Sequence, residues 1–375
     1  MIRLFKPYVG KEELENIKGV FEREWLGLGP LVSEFEDKWT KRFETSDSVA
    51  LNSCTAALHL ALNAYNFKKG SEILVPAITF VSSAHAILYN NLVPVFVDVD
   101  PKTLCISIED LNKKISKKSV AIIPVHMGGH PCDMEKILET AKNNNLRVIE
   151  DCAHNAGGLY KNKIVGTIGD LGCHSFEEKK NMTTGDGGMI TSHDGDLIKE
   201  IKKIRWCGID RDTWKRVKFQ DKEDTNPLHW YYEVPKLGYK YNMNDLSAAI
   251  GLAQLEKLEF MNTNRSESIS KYLDGIKDID GITPGIEYSL EDSSYWLFLV
   301  KVKKRDLFIN HMKSRGISTG VHFMPLTLHP LYEEFSSDLP ISMSIWEELV
   351  TLPLYVGMKD SEIDEVIGAI KSFDF

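Results

Sequence analysis

The sequence predicts an α/β protein: a large domain with a mostly parallel seven-stranded sheet, then a smaller C-terminal α+β domain. Two observations carry that expectation. Short apolar runs alternate with helix-like stretches through the first two-thirds of the chain, and after Asp245 the rhythm changes. The candidate strands are 48–52, 72–76, 93–97, 120–125, 147–150, 171–176 and 188–192. Most are short, apolar and β-branched, as parallel strands buried on both faces are. Helical segments at 55–65, 81–89, 108–114 and 133–143 lie between them, giving βαβ units with helices on both sides of the sheet. Beyond Asp245, residues 246–263 repeat apolar side chains at helical spacing. Strand-like 295–302 and 320–323 and a terminal helix over 360–373 then form the smaller domain, which puts the boundary near residue 255 (1–255 and 256–375).

Composition narrows the class. The chain has 375 residues, 43% hydrophobic and 26% charged, as in an ordinary globular protein. A net charge of -9 argues against non-specific nucleic-acid binding but leaves room for a local anion site. The segment Met1–Pro7 has no long apolar stretch, and no apolar run reaches the roughly 18 residues of a membrane span. The six cysteines are scattered without a CxxC pair, which suits reduced thiols and a cytoplasmic enzyme. His126/His130/Cys132 and His322/His329 lack tight ligand spacing, so no metal is expected. There is no Walker loop, Gly-x-Ser-x-Gly or Rossmann fingerprint.

The motifs sit where strands end. Apolar 147–150 runs into Glu150-Asp151, and a carboxylate there is costly to bury unpaired, so it either caps a helix or meets a cation. Strand 171–176 leads through Ser175 to Lys179-Lys180 and a Gly-rich turn ending Asp186-Gly187-Gly188. A lysine in such a turn is ordinarily a solvated charge. Here the turn lies at the C-terminal edge of the sheet, where open α/β sheets bind ligands. A strand-end carboxylate followed by a strand-then-lysine turn is what a pyridoxal phosphate (PLP) site needs. The lysine, either Lys179 or Lys180, forms the Schiff base, and Asp151 keeps the pyridine nitrogen protonated. Ser53-Cys54-Thr55 lies where a strand enters a helix and either cradles a phosphate or caps the helix. Phe80 either stacks on a flat ring or belongs to the core, and His154 either contacts that ring or is structural. The polar run from Gly238 to Asp245 reaches a phosphate or sugar, or caps the long helix through Asn244 or Asp245.

In this order the motifs resemble the DegT/DnrJ/EryC1/StrS family of PLP-dependent sugar aminotransferases. The resemblance starts at Trp25-Leu26-Gly27-Leu28-Gly29-Pro30 with Phe35-Glu36 and continues through Ser53–Leu58 and Val75–Phe80. It takes in Glu150–His154, the lysine segment and Gly238–Asp245, then Val321–Leu326 and Leu352-Pro353-Leu354-Tyr355. It implies the aspartate-aminotransferase-like fold (fold type I) and a homodimer with shared active sites. The family's serine-to-lysine spacing selects Lys180 for the Schiff base, and Asp151 matches the pyridinium partner. Phe80 matches the stacked aromatic, and Ser53, Cys54, Thr55 and Ser175 match the phosphate cradle. Asn242 matches the asparagine that reaches the neighbouring subunit's cofactor, and His154 stands where the family has Gln or His. Lys240, His322 and Phe323 resemble the sugar side. Glu177, Glu178, Lys179 and Asp186 depart from the family pattern.

The implied reaction is amino transfer from L-glutamate to a keto-sugar, most simply a nucleotide-diphospho-4-keto-6-deoxyhexose for surface polysaccharide. Residues 208–216 and 230–232 look like those of members that aminate C4, and Arg211, Lys215 and Arg216 either meet a diphosphate or are solvated. Amination at C3, or of an acidic sugar such as an octulosonate, remains open, as does a non-catalytic paralogue. A PLP-dependent sugar dehydratase would carry histidine at position 180.

Overall fold

A computed structural model describes residues 1–210, 231–290 and 293–375. Nine strands occupy the first half: β1 Asp47–Leu51, β2 Glu72–Pro76, β3 Val93–Val97, β4 Ser119–Ile122, β5 Arg147–Cys152, β6 Leu159–Tyr160, β7 Lys163–Ile164, β8 Leu171–Ser175 and β9 Gly188–Ser192. Seven form one sheet in the order β1-β9-β8-β5-β4-β2-β3, while β6 and β7 make a small hairpin. Only β9 runs against its neighbours β1 and β8; the other pairings are parallel. The mostly parallel sheet expected from the apolar runs is therefore present. β8 and β9 are buried at every position, as helices on both faces require.

Helices Cys54–Ala64, Val81–Tyr89, Ile108–Lys114 and Met134–Asn144 fall where sequence periodicity puts them. Ser53, Ser107 and Asp133 cap three of them by accepting a main-chain N–H. Five helices have no counterpart in the sequence reading: Lys11–Glu22, Pro30–Phe43, Gly195–Ile204, Arg305–Ser314 and Pro340–Ile345. Gly29-Pro30, in the motif where the family resemblance starts, opens the second, with proline at the first helical position. Gly29 is needed there because an added Cβ would lie 2.4 Å from Trp25 and 2.6 Å from Asp245.

The chain then forms one helix of 32 residues, Asp245–Ile276, well past the expected end at 263. The polar stretch Asn262-Thr263-Asn264 breaks the apolar rhythm in sequence, but Arg265, Ile269, Tyr272 and Ile276 are buried beyond it. Residue 255 lies inside this helix. Its first turn resolves the two cap readings. Asn244 accepts from Ser247 N–H and caps its own helix, whereas Asp245 accepts from Leu31 and Val32 and caps helix Pro30–Phe43. A three-stranded antiparallel sheet follows, from β10 Ile282–Pro284, β11 Phe298–Val302 and β12 Leu349–Leu352. The strand expected at 320–323 is absent. Gly320 makes only an isolated bridge to Thr351, at the margin of this sheet. Helix Asp360–Lys371 closes the chain.

A buried ion pair joins three elements beside the sheet. Glu36, on helix Pro30–Phe43, accepts from Ala50 N–H of β1 at 2.8 Å and from the Arg205 guanidinium. Arg205 also donates to Ala50 O at 2.9 Å, and Lys202 stands 3.5 Å from Glu36. Removing one partner strands a buried charge, which costs about 3–5 kcal/mol. Glu36→Ala is therefore expected to lower unfolding stability by that order in chemical denaturation. The apolar pair Glu36→Leu/Arg205→Met should regain most of the loss.

Candidate active site

The C-terminal edge of the main sheet collects the site. β1 ends beside Ser53, β2 leads to Phe80, β5 ends at Asp151 and Cys152, and β8 ends at Ser175. β9 begins at this edge with Gly188, whose added Cβ would lie 2.5 Å from the Ser53 carbonyl group, so the strand presses against the start of helix Cys54–Ala64. Ser53, Phe80, Asp151 and Ser175 line a cavity of about 600 Å³. Trp296, His322 and Phe323 wall it from the C-terminal part of the chain.

Adjacent β5 carboxylates face opposite ways, as the pleat dictates. Glu150 accepts from the main-chain N–H of Gly166, Ile168 and Gly169 and pairs with His126 Nε2 at 3.1 Å. His126 Nδ1 accepts from Cys132 N–H. Cys152 brings a third possible ligand atom within 4.8 Å of these two, but His126 and Glu150 are already engaged in fastening the 166–169 loop under the sheet. Asp151 points into the cavity. It accepts from Ser83 Oγ at 2.7 Å and Ala153 N–H at 3.1 Å. Burial drives its carboxyl above the usual range, against the pull of those bonds and of Lys180.

The lysine turn is held from several sides. Lys180 N–H donates to Glu177 O, and Arg265 donates to Lys180 O at 3.2 Å and Asn181 O at 3.1 Å. Asn181 Nδ2 donates to Ser294 O at 3.0 Å. Lys180 Nζ lies 3.3 Å from the Trp296 ring centre. Burial lowers its ammonium from the usual lysine value to about 8, partly opposed by the charge of Glu177. His154 is buried against Trp296, ring centres 4.3 Å apart, and its Nδ1 accepts from Gly128 N–H. Burial, helped by the Lys180 charge, holds it well below the usual histidine range, so the ring is neutral. Phe80 is more than half exposed at the cavity mouth, 6.0 Å from Phe323, and is not a core residue.

At the other end of the cavity stands the start of helix Cys54–Ala64. Ser53 Oγ accepts from Ala56 N–H, while helix geometry leaves the Cys54 and Thr55 amides without an intrahelical acceptor. Thr55 Oγ1 and Ser82 Oγ lie 2.7 Å apart beside them. Cys54 Sγ itself turns inward, 3.6 Å from Cys173 O.

Of the residues singled out in the sequence, Ser53, Cys54, Thr55, Phe80, Asp151, His154, Ser175, Lys180, His322 and Phe323 share this cavity. Lys240 and Asn242 are not among its lining. Lys240 Nζ lies 3.6 Å over the Trp206 ring and donates to Asn242 Oδ1. Arg211 lies outside the described residues. Ser83 and Trp296 escaped the sequence reading. Ser83 had a signal, being one turn into the helix after β2, but Trp296 sits in an apolar run that reads only as a strand.

The sequence matches the DegT/DnrJ/EryC1/StrS aminotransferase family over residues 7–371. The chain belongs to that family. It is 36% identical over 97% of its length to the spore coat polysaccharide biosynthesis protein SpsC of Bacillus subtilis, covering 95% of that protein. It is 32% identical to GDP-perosamine synthase of Escherichia coli O157:H7, over 99% of this chain and 98% of that one. Among solved structures, the PMP-form of the putative sugar aminotransferase Spr1654 from Streptococcus pneumoniae superimposes with a TM-score of 0.91 at 28% identity, covering 99% and 98% of the two chains.

The chain is accordingly a PLP-dependent aminotransferase of fold type I, and the cavity fits that cofactor. PLP is a flat pyridine bearing an aldehyde and a phosphate. The buried Asp151 carboxylate could meet the ring nitrogen, Lys180 the aldehyde, and the open amides of Cys54 and Thr55 the phosphate. Among the described residues, no helix is long and apolar enough to cross a membrane.

Buried histidines contribute to the acid limit, His154 among them. Burial holds His174 at about 3 and His322 at about 4 in the folded chain, against roughly 6.5 when unfolded. The unfolded chain therefore binds more protons between those values. Stability is fully present above about pH 6.5 and is lost as pH falls through 4 towards 3. The denaturation midpoint should fall over that window, and His174→Leu, which leaves the cavity intact, should flatten the fall.

Proposed function

We propose that the chain transfers the amino group of L-glutamate to a nucleotide-linked 4-keto-6-deoxy sugar, as one step of surface-polysaccharide synthesis. The observation that carries the chemistry is one cavity holding Lys180, the buried Asp151 and the start of helix Cys54–Ala64. The sugar class follows the relatives: one is named for a GDP-linked sugar, another for a coat polysaccharide.

When bound, PLP supplies the electron sink that makes the donor's Cα–H acidic. Lys180 is the amine that holds the cofactor. Its lowered proton affinity keeps part of it neutral near pH 7–8, as a nucleophile and later a proton carrier require. Its Nζ, when free, would be the group that carries a proton to and from the donor's Cα. Asp151 keeps a proton on the ring nitrogen; pairing with that cation also relieves the cost of its own burial. The Cys54 and Thr55 amides, with Thr55, Ser82 and Ser175 hydroxyls, bind the phosphate. Neutral His154, Trp296, Phe323 and Phe80 confine the ring and exclude water. Lys240 and Asn242 lie off the cavity of their own chain, and we assign them to the active site of a second subunit in a homodimer. We place the reaction in the cytoplasm, as the scattered cysteines without a CxxC pair suggest.

The test is spectroscopic. Protein reconstituted with PLP should absorb in the near-visible and lose that band on adding L-glutamate. Lys180→Ala should abolish the band and Lys179→Ala should keep it; the reverse pattern refutes the lysine assignment. Asp151→Asn should raise the apoprotein's melting temperature at pH 8, because an unpaired buried charge is removed, while weakening PLP binding at least tenfold.

A further inference from the structure

We propose that Lys179 recognises an anionic group of the substrate, with Glu177 as the counter-ion that the substrate displaces. The inference rests on the reading that Lys180 holds the cofactor. The cations among the described residues lining the cavity are then Lys179 and Lys180, and the second is committed. The acids Asp151, Glu177 and Asp186 share that lining, so an entering carboxylate or phosphate meets one attractive charge, that of Lys179.

Its placement suits the role. The Lys179 main chain is fixed on both sides: its N–H donates to Glu177 Oε2 at 3.0 Å, and its carbonyl accepts from Trp296 Nε1 at 2.7 Å. The side chain is not fixed. Its ammonium stands 3.4 Å from Glu177 and 4.0 Å from Glu178, longer than the roughly 2.7–2.9 Å of a tight charge-assisted bond. It is 46% exposed, so solvent already reaches it. Glu177 is anchored by the main-chain N–H rather than by the ammonium, and it stays in place when the ammonium swings away. The site is thus a cation on a rigid turn with a weak, built-in competitor. Lys179 shares the cavity lining with His322 and Phe323; its charge adds, after burial and Lys180, to the lowered protonation of His322.

The matching chemistry is a carboxylate or phosphate oxygen, carried by a dicarboxylic amino donor or by the diphosphate of an acceptor. PLP-loaded protein is titrated with L-glutamate, following loss of the near-visible band, alone and in competition with inorganic pyrophosphate. A donor carboxylate on Lys179 raises half-saturating L-glutamate at least tenfold in Lys179→Gln, about 1.4 kcal/mol, and leaves pyrophosphate inhibition unchanged. A diphosphate on Lys179 gives the converse. In either case Lys179→Arg restores the affected constant and Glu177→Gln moves it the opposite way, by removing the competitor. Both constants within twofold of wild type in Lys179→Gln, or no shift in Glu177→Gln, overturn the proposal while the band shows the site reading intact. A wild-type protein that never forms the band defeats that reading first, and this inference with it.

Discussion

A carboxylate held out of water at the end of a central strand is the constraint around which this molecule is arranged. Asp151 lies on β5, between β4 and β8, where helices cover both faces of the sheet. Two hydrogen bonds do not offset the loss of hydration, so a charge there is unfavourable by itself. In the proposed reading a cationic ring nitrogen would relieve it. Part of the binding energy for the cofactor would then be stored in the fold, and the surrounding hydroxyl and amide donors are aimed by the same strand ends.

The neighbouring acid shows how much the pleat matters. Glu150 and Asp151 are adjacent in sequence, yet one fastens a loop through three main-chain N–H groups and a histidine while the other faces the cavity. A one-residue slip of β5 would exchange the roles and destroy both. The register of β5 against β8, Asp151 beside Cys173 and Cys152 beside His174, therefore fixes the spacing of Asp151 from Ser175 and the lysine turn.

The main sheet was legible because its strands are buried on both faces and so read as unbroken apolar runs; β8 and β9 are the clearest cases. Ser53, Asp151, Ser175 and Lys180 were legible because each follows such a run. Helix Pro30–Phe43 was not: only five of its 14 residues are buried, and its cap, Asp245, comes from more than 200 positions away. Trp296 and Arg265 escaped for the same reason. Both reach the lysine turn across the tertiary fold, the first through Lys179 O and the second through Lys180 O, and no local pattern encodes such contacts. The long helix was underestimated where Asn262 and Asn264 interrupt its apolar stripe. Asn262 bonds to Ala156 O and Asn264 to Gly357 N–H, so the interruption is itself a set of tertiary contacts.

That helix has a mechanical consequence. At 32 residues it is a rod of about 48 Å. One end caps helix Pro30–Phe43 through Asp245; further along, Arg265 grips the lysine turn and Tyr272 stacks on Phe298 of the second sheet, 4.7 Å between ring centres. A load applied at the outer sheet is thus delivered to the main-chain carbonyl of residue 180 by a strut with no joint between Asp245 and Ile276. Bending at its middle, by a proline introduced near Glu259, would loosen the Lys180 turn without altering any group that touches the cavity.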